Sequence, residues 1–181
     1  MWHWISKIIL KIIGWKNVDH IPKDVKKYIV VVAPHTSYWD FPIGILSRSY
    51  LKRKIGFIAK AEVFKFPFGP ILKWMGGIPV DRSKKSNLVD VVKDLFNSRS
   101  ELAICIAPEG TRKKVRRLKT GFYHMALEAN VPITLCTFDF KNKTVTYHKP
   151  YYVSENKEEA IAKIWKFFSG VEGKVPEQGI G

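Results

Sequence analysis

One segment decides the architecture of this chain: Tyr28-Ile-Val-Val-Val-Ala-Pro34 is apolar without interruption and mostly β-branched. A strand with one wet face alternates apolar and polar residues. A continuous run must be covered on both faces, as in a parallel sheet packed between helices. Further strands are expected over 54–59, 77–80, 102–107 and 132–138, and 144–148 alternates like an antiparallel-type edge strand. Helical patterns fall at 40–51, 86–96, 121–129 and 158–168. Residues 64–75 form a short helical or irregular apolar stretch punctuated by Pro67 and Pro70. Strands alternating with helices define an α/β fold: a single layered domain with a largely parallel central sheet flanked by helices, plus an N-terminal amphipathic helix. The expected divisions are a helix over 1–16, the domain over 17–169, and a flexible tail over 170–181.

The wheel of the first segment, Met-Trp-His-Trp-Ile-Ser-Lys-Ile-Ile-Leu-Lys-Ile-Ile-Gly-Trp-Lys, is strongly two-sided. Trp2, Trp4, Ile5, Ile8, Ile9, Ile12, Ile13 and Trp15 fill one half; His3, Ser6, Lys7, Leu10, Lys11 and Gly14 fill the other. That face packs either on the domain's own core or on a bilayer. Trp favours half-wet sites, and Lys lies opposite, so the bilayer interface is the expectation.

Charge points the same way. Thirty-one Lys and Arg against sixteen Asp and Glu give a net charge of +15, which attracts nucleic acid, anionic bilayers or phosphorylated substrates. The aromatic residues cluster with Ile and Leu rather than alternating with Arg along strands, so no nucleic acid partner is expected. Cys105 and Cys136 sit in apolar runs, which suits core packing rather than redox or metal chemistry. The N-terminus lacks a small-residue cleavage site, and no uncharged run approaches the ~18–20 apolar residues that span a bilayer. A cytoplasmic location follows as the expectation.

Three clusters carry chemistry. In Pro34-His35-Thr-Ser-Tyr-Trp-Asp40, a His follows the first buried strand and an Asp opens the next helix. Catalytic groups in open α/β sheets gather at such carboxyl ends. A carboxylate that accepts from one ring nitrogen, Nδ1 or Nε2, leaves the other free to take a proton from a hydroxyl. The second cluster is Gly76-Gly-Ile-Pro-Val-Asp-Arg82, whose guanidinium suits a phosphate. The third is Ala107-Pro-Glu-Gly-Thr-Arg112, followed by Lys113, Lys114, Arg116, Arg117 and Lys119.

In this order the clusters resemble the PlsC-type glycerolipid acyltransferases, the family of the lysophosphatidic-acid acyltransferases. The first block of that family is His-x4-Asp, matched by His35 and Asp40. Its Gly-x-Ile-Pro-Val-Asp-Arg run is matched by Gly77 to Arg82 with Gly76 just before. Glu109-Gly-Thr-Arg112 and Val131-Pro-Ile133 match the third and fourth blocks, and the stretch from Lys60 to Pro70 is also similar. The resemblance implies that His35, oriented by Asp40, deprotonates the hydroxyl of a lysophospholipid acceptor. The hydroxyl then attacks an acyl thioester without an acyl-enzyme. Arg82, Arg112 and Lys60 would hold phosphate, with Glu109, Gly110 and Thr111 completing the substrate-binding turn. It implies no metal and no bound cofactor, with acyl-CoA or acyl-ACP as co-substrate and acyl carrier protein as a potential partner. The expected setting is peripheral, on an anionic membrane surface at the cytoplasmic face.

Overall fold

The fold is a computed structural model, which describes residues 2–80 and 88–180. Seven strands form one sheet in the order β1-β7-β6-β2-β5-β3-β4. They are β1 (Lys16–Asp19), β2 (Lys27–Ala33), β3 (Ile55–Lys60), β4 (Gly77–Val80), β5 (Leu102–Ile106), β6 (Ile133–Asp139) and β7 (Thr144–Tyr147). All neighbouring pairs are parallel except β6 with β7. The helices are α1 (Trp2–Ile12), α2 (Asp40–Tyr50), α3 (Phe68–Trp74), α4 (Leu88–Asn97), α5 (Gly121–Glu128) and α6 (Lys157–Phe168).

The apolar run of β2 is satisfied as its composition demands. Ile29, Val31 and Ala33 point into a core shared with Phe96, Phe122, Ile164 and Phe168 of α4, α5 and α6. Tyr28, Val30 and Val32, one residue out of phase, enter a second core with Ile43 of α2 and Leu10 of α1. Period-two alternation thus divides one strand between two helical layers.

The sheet also fixes where a site can form. The chain leaves β2 through α2 toward β3, and leaves β5 through α5 back past β2 to β6. The two connections depart in opposite directions along the sheet. A crevice therefore opens at the carboxyl ends of β2 and β5, the position where doubly wound sheets bind ligands.

Three expectations are corrected. The strand over 144–148 is not at the edge, because β1 pairs beyond it in parallel. Lys16-Asn-Val-Asp19 is too short and polar to signal a strand by periodicity, and α1, expected to run to residue 16, ends at Ile12, where Gly14 at φ +76° turns the chain out of the helix. The tail is packed rather than frayed: Ile180 is 3% exposed and belongs to the core under α6. A Gly- and Pro-bearing composition reports missing helix and strand, not missing contacts. The helix expected over 86–96 is described from Leu88 onward.

The apolar half of α1 faces away from the domain. α1 packs against α2 through the weaker half of its wheel, burying Ser6 and Leu10. Trp2, Trp4, Ile8 and Ile12 face outward, Ile12 at 78% exposure. The two helices run antiparallel: the His3 Nδ1 nitrogen lies 3.3 Å from the Ser49 carbonyl at the far end of α2, while Ile9 and Ile13 lie beside Trp39 and Pro42 at its start. No helix among the described residues is long and apolar enough to cross a membrane. Leu10→Ala is expected to cost about 2–5 kcal/mol in chemical denaturation, as large-to-small core changes do. Ile12→Ser is expected to stay within about 0.5 kcal/mol. Equal losses would mean that the apolar half of α1 is the buried one.

Candidate active site

His35 follows the carboxyl end of β2 and Asp40 opens α2, so strand end and helix start bracket a six-residue turn. The turn brings His35 Nδ1 to 2.9 Å from Asp40 Oδ2. A carboxylate only accepts, so Nδ1 is the donor nitrogen, and in the neutral ring Nε2 is the one left to accept a proton. Among the described residues Nε2 has no hydrogen-bond partner. The same Asp40 oxygen accepts from the Ser37 backbone N–H at 3.0 Å, and Asp40 is only 2% exposed. Its place in the first turn of α2 adds the favourable end of the helix dipole. The ambiguity between the two ring nitrogens, open in the sequence, is settled by the geometry.

Glu109 supplies the second fixture. It follows β5, the parallel neighbour of β2, and its Oε1 accepts from the His35 backbone N–H at 2.8 Å. Its Oε2 is buried without a partner among the described residues. Burial pushes the Glu109 carboxyl up to about 7, against the lowering effect of the His35 contacts. Gly110 takes φ +64°, a left-handed conformation that costs other residues strain, and turns the chain sharply beside Lys119. Thr111 accepts from the Lys113 N–H at 3.3 Å and faces solvent.

Arg112 closes the turn. Its guanidinium stacks over the Tyr38 ring, 4.0 Å from the centroid, and lines the same cavity as His35 and Asp40. Its buried Nε lacks a partner among the described residues. Lys60 ends β3, two strands from His35 and exposed, and is not among the residues lining that cavity. β4 runs toward the same edge, but Asp81 and Arg82 lie outside the described residues. Structure therefore joins His35, Asp40, Glu109 and Arg112, and leaves Lys60 on the outer rim.

The cavity, of about 350 Å³, runs between α2 and the sheet. Val30, Val32, Ile45, Phe57, Ile58 and Phe138 make its walls apolar. Its far end meets Arg48, whose guanidinium donates to the Ile55 and Met75 carbonyls. Beyond Arg48 a larger, basic hollow of about 850 Å³ lies at the amino ends of the strands, away from His35. Cys105 and Cys136 line the cavity, but burial pushes Cys105 up to about 12 and Cys136 well above its ordinary value. Both are thiols at neutral pH and poor nucleophiles. Among the described residues no group of three or more His, Cys, Asp or Glu could hold a metal ion. The apolar segment over 64–75 does not line the cavity; Phe66 is 90% exposed.

Sequence reasoning missed Tyr38 and Trp39, exposed aromatics inside the His-x4-Asp turn, though two adjacent rings beside a candidate His-Asp pair are a readable signal. It also missed Arg48, which carries no signal beyond being one of many cations.

A family model described as Acyltransferase matches residues 12–138. A 1-acyl-sn-glycerol-3-phosphate acyltransferase from Haemophilus influenzae is 30% identical over 139 residues, 72% of this chain and 56% of that protein. The Escherichia coli K12 protein of the same name is 27% identical over 139 residues, with the same shares. A probable enzyme of that name from Mycoplasma pneumoniae is 33% identical over 145 residues, 74% of this chain and 53% of that one. This chain thus spans just over half the length of these relatives. The crystal structure of the 1-acyl-sn-glycerophosphate (LPA) acyltransferase PlsC from Thermotoga maritima shares the fold, with a TM-score of 0.59 and 20% identity over 92% of this chain and 78% of that one.

Glu109 generates a pH prediction. Its folded pKa of about 7 lies above the ordinary 4.5, so the folded state holds the proton more tightly than the unfolded state. The stabilisation from that proton is complete below pH ~4.5 and is lost as pH rises toward 7. Glu109→Gln keeps an acceptor for the His35 N–H and removes the titration. Denaturation midpoints at pH 5, 6 and 7 should fall with pH in the parent and flatten in the variant; parallel slopes would refute the assignment.

Proposed function

The chain belongs to the PlsC-type acyltransferase family, and from that premise we propose that it moves a fatty acyl group from an acyl thioester to the free hydroxyl of a lysophospholipid. The proposed acceptor is 1-acylglycerol-3-phosphate and the product phosphatidic acid, in keeping with the names of its relatives. One observation carries the reading: the His35–Asp40 pair sits at the mouth of an apolar cavity, with Arg112 on the same rim.

The steps follow from the placement. The acceptor hydroxyl meets His35 Nε2, which takes its proton as the oxygen attacks the thioester carbonyl carbon. The imidazolium is stabilised by Asp40, whose charge is held by Nδ1–H and the Ser37 N–H. Collapse of the tetrahedral intermediate breaks the C–S bond, and the departing thiolate recovers the proton from Nε2. Base, carboxylate and substrate hydroxyl thus reproduce triad chemistry with no enzyme nucleophile. The apolar cavity takes the acyl chain, and Arg48 ends it. Arg112 and Arg82 hold the acceptor phosphate as guanidinium groups do, with Lys60 as an outer cation. The donor is acyl-CoA or acyl-ACP.

The bilayer-borne acceptor gives the outward face of α1 its use. Trp2, Trp4, Ile8 and Ile12 enter the interface of an anionic membrane at its cytoplasmic face, and the net charge of +15 adds electrostatic attraction. The exposed Phe66, Phe68 and Trp74 beside α1, linked to it by the Trp2–Trp74 ring contact at 5.2 Å, extend that face.

His35→Ala should reduce transfer by at least about 10⁴-fold while leaving the melting transition in place, the scale seen when a triad member is lost. Purified protein should be assayed with lysophosphatidic acid, head-group lysophospholipids and hydroxyl-bearing amino-acid lipids, each with acyl-CoA and acyl-ACP. Retained activity in His35→Ala would sink the mechanism; preference for an acceptor without a terminal phosphate would sink the substrate. Flotation with phosphatidylglycerol vesicles tests the membrane face. The Trp4→Ser, Ile8→Ser, Ile12→Ser triple variant should stay in the lipid-free fraction, and unchanged flotation would reject the assignment.

A further inference from the structure

We infer that residues 172–180 are a positioning strap that holds the catalytic turn at Thr36, the residue next to His35. The inference rests on the reading of His35 as the general base. Thr36 is 3% exposed, and its Oγ1 accepts from the Val175 backbone N–H at 3.2 Å. Gly173 lies against the same side chain. A Cβ there would stand 2.6 Å from Thr36 Oγ1, 2.9 Å from Thr36 Cγ2 and 3.1 Å from Pro34 Cγ. Only hydrogen fits in that space. The Gln178 amide, turned so that its nitrogen faces carbonyls, donates to Thr36 O at 3.2 Å and to Arg112 O. One side chain of the tail therefore bridges the His-x4-Asp turn and the Glu-Gly-Thr-Arg turn.

The strap is fastened on both sides of these contacts. The Glu172 carbonyl accepts from the Phe140 N–H at 2.9 Å, just past β6, and its carboxylate stands 3.5 Å from Lys141 Nζ. At the other end Ile180 is buried in the core. A short helical turn, Pro176–Gln178, takes up the chain between them. His35 is thus gripped from two directions: Glu109 holds its backbone N–H, and the strap holds the next residue by side chain and carbonyl. A general base must sit within a few tenths of an ångström of its line of proton transfer. A shift of about 1 Å in a positioned group costs roughly 10²-fold in rate. Among the described residues no charged or titrating group of the tail is bonded to His35, so the strap acts by placement.

The test is a double-mutant cycle read in kcat and KM. Gly173→Ala inserts the methyl group that Thr36 excludes; Thr36→Ala removes both the clash and the acceptor for Val175. Each single variant should lower kcat by about 10-fold to 10²-fold, with acceptor KM within about threefold and the melting temperature nearly unchanged. The double variant should be little slower than Thr36→Ala alone, because both contacts under 3 Å are then gone and only the 3.1 Å approach to Pro34 Cγ is left to relax. Thr36→Ser, which keeps the oxygen, should recover most of the rate. If Gly173→Ala loses its melting transition, Gln178→Ala carries the test, since it deletes the bridge without adding bulk. Wild-type kcat in Gly173→Ala or Gln178→Ala, or losses that multiply in the double variant, would overturn the strap. His35→Ala assayed in parallel separates the two ideas. An inactive His35→Ala beside a wild-type Gly173→Ala defeats the strap alone, whereas an active His35→Ala defeats the reading on which it rests.

Discussion

The two-sided burial of β2 is the constraint from which the rest of the molecule follows. A strand with no polar face needs a helical layer on each side, and period two sends alternate residues to each. Those layers oblige the flanking connections to leave in opposite directions. The divergence opens the crevice that holds His35 and Glu109. The site is thus a by-product of how an apolar strand is covered, and its residues need only be placed at the ends of strands already fixed by packing. The hydrogen bond from His35 N–H to Glu109 then locks two adjacent strand ends together, so the His-x4-Asp turn inherits the rigidity of the sheet.

Most of the sheet was readable because burial writes itself into composition. The runs at 28–34 and 102–107 are apolar because both faces are covered, and the stretch at 132–138 is mostly so, with Thr134 and Thr137 among its apolar residues. β1 was not readable, because Lys16-Asn-Val-Asp19 pairs only at an edge and needs no apolar signature. The wheel of α1 was read correctly as two-sided, but a wheel gives the direction of asymmetry without saying which side meets protein. Here Ser6 and Leu10 are buried against protein, whereas Trp2, Trp4, Ile8 and Ile12 stay more than half exposed.

The site divides along a similar line. His35, Asp40, Glu109 and Arg112 stood out only as parts of an ordered set of motifs that resembles the PlsC-type blocks, since each cluster alone fits a helix cap or a solvated loop equally well. The contacts of Gly173, Val175 and Gln178 with Thr36 were illegible, because backbone N–H groups and an absent Cβ leave no mark in sequence. Arg48 lies between these cases: one cation among thirty-one basic residues, distinguished only by the carbonyls that it binds.

The outward apolar face of α1 also governs how copies of the protein behave toward one another. Uncovered Trp and Ile draw molecules together, whereas a net charge of +15 drives them apart. The two terms respond differently to ionic strength. Repulsion reaches about 10 Å at 0.1 M salt and only about 3 Å at 1 M, while the apolar attraction is not screened. Colloidal stability in the absence of lipid therefore falls as salt is added, the opposite of the salting-in expected for a protein held together by attraction between unlike charges.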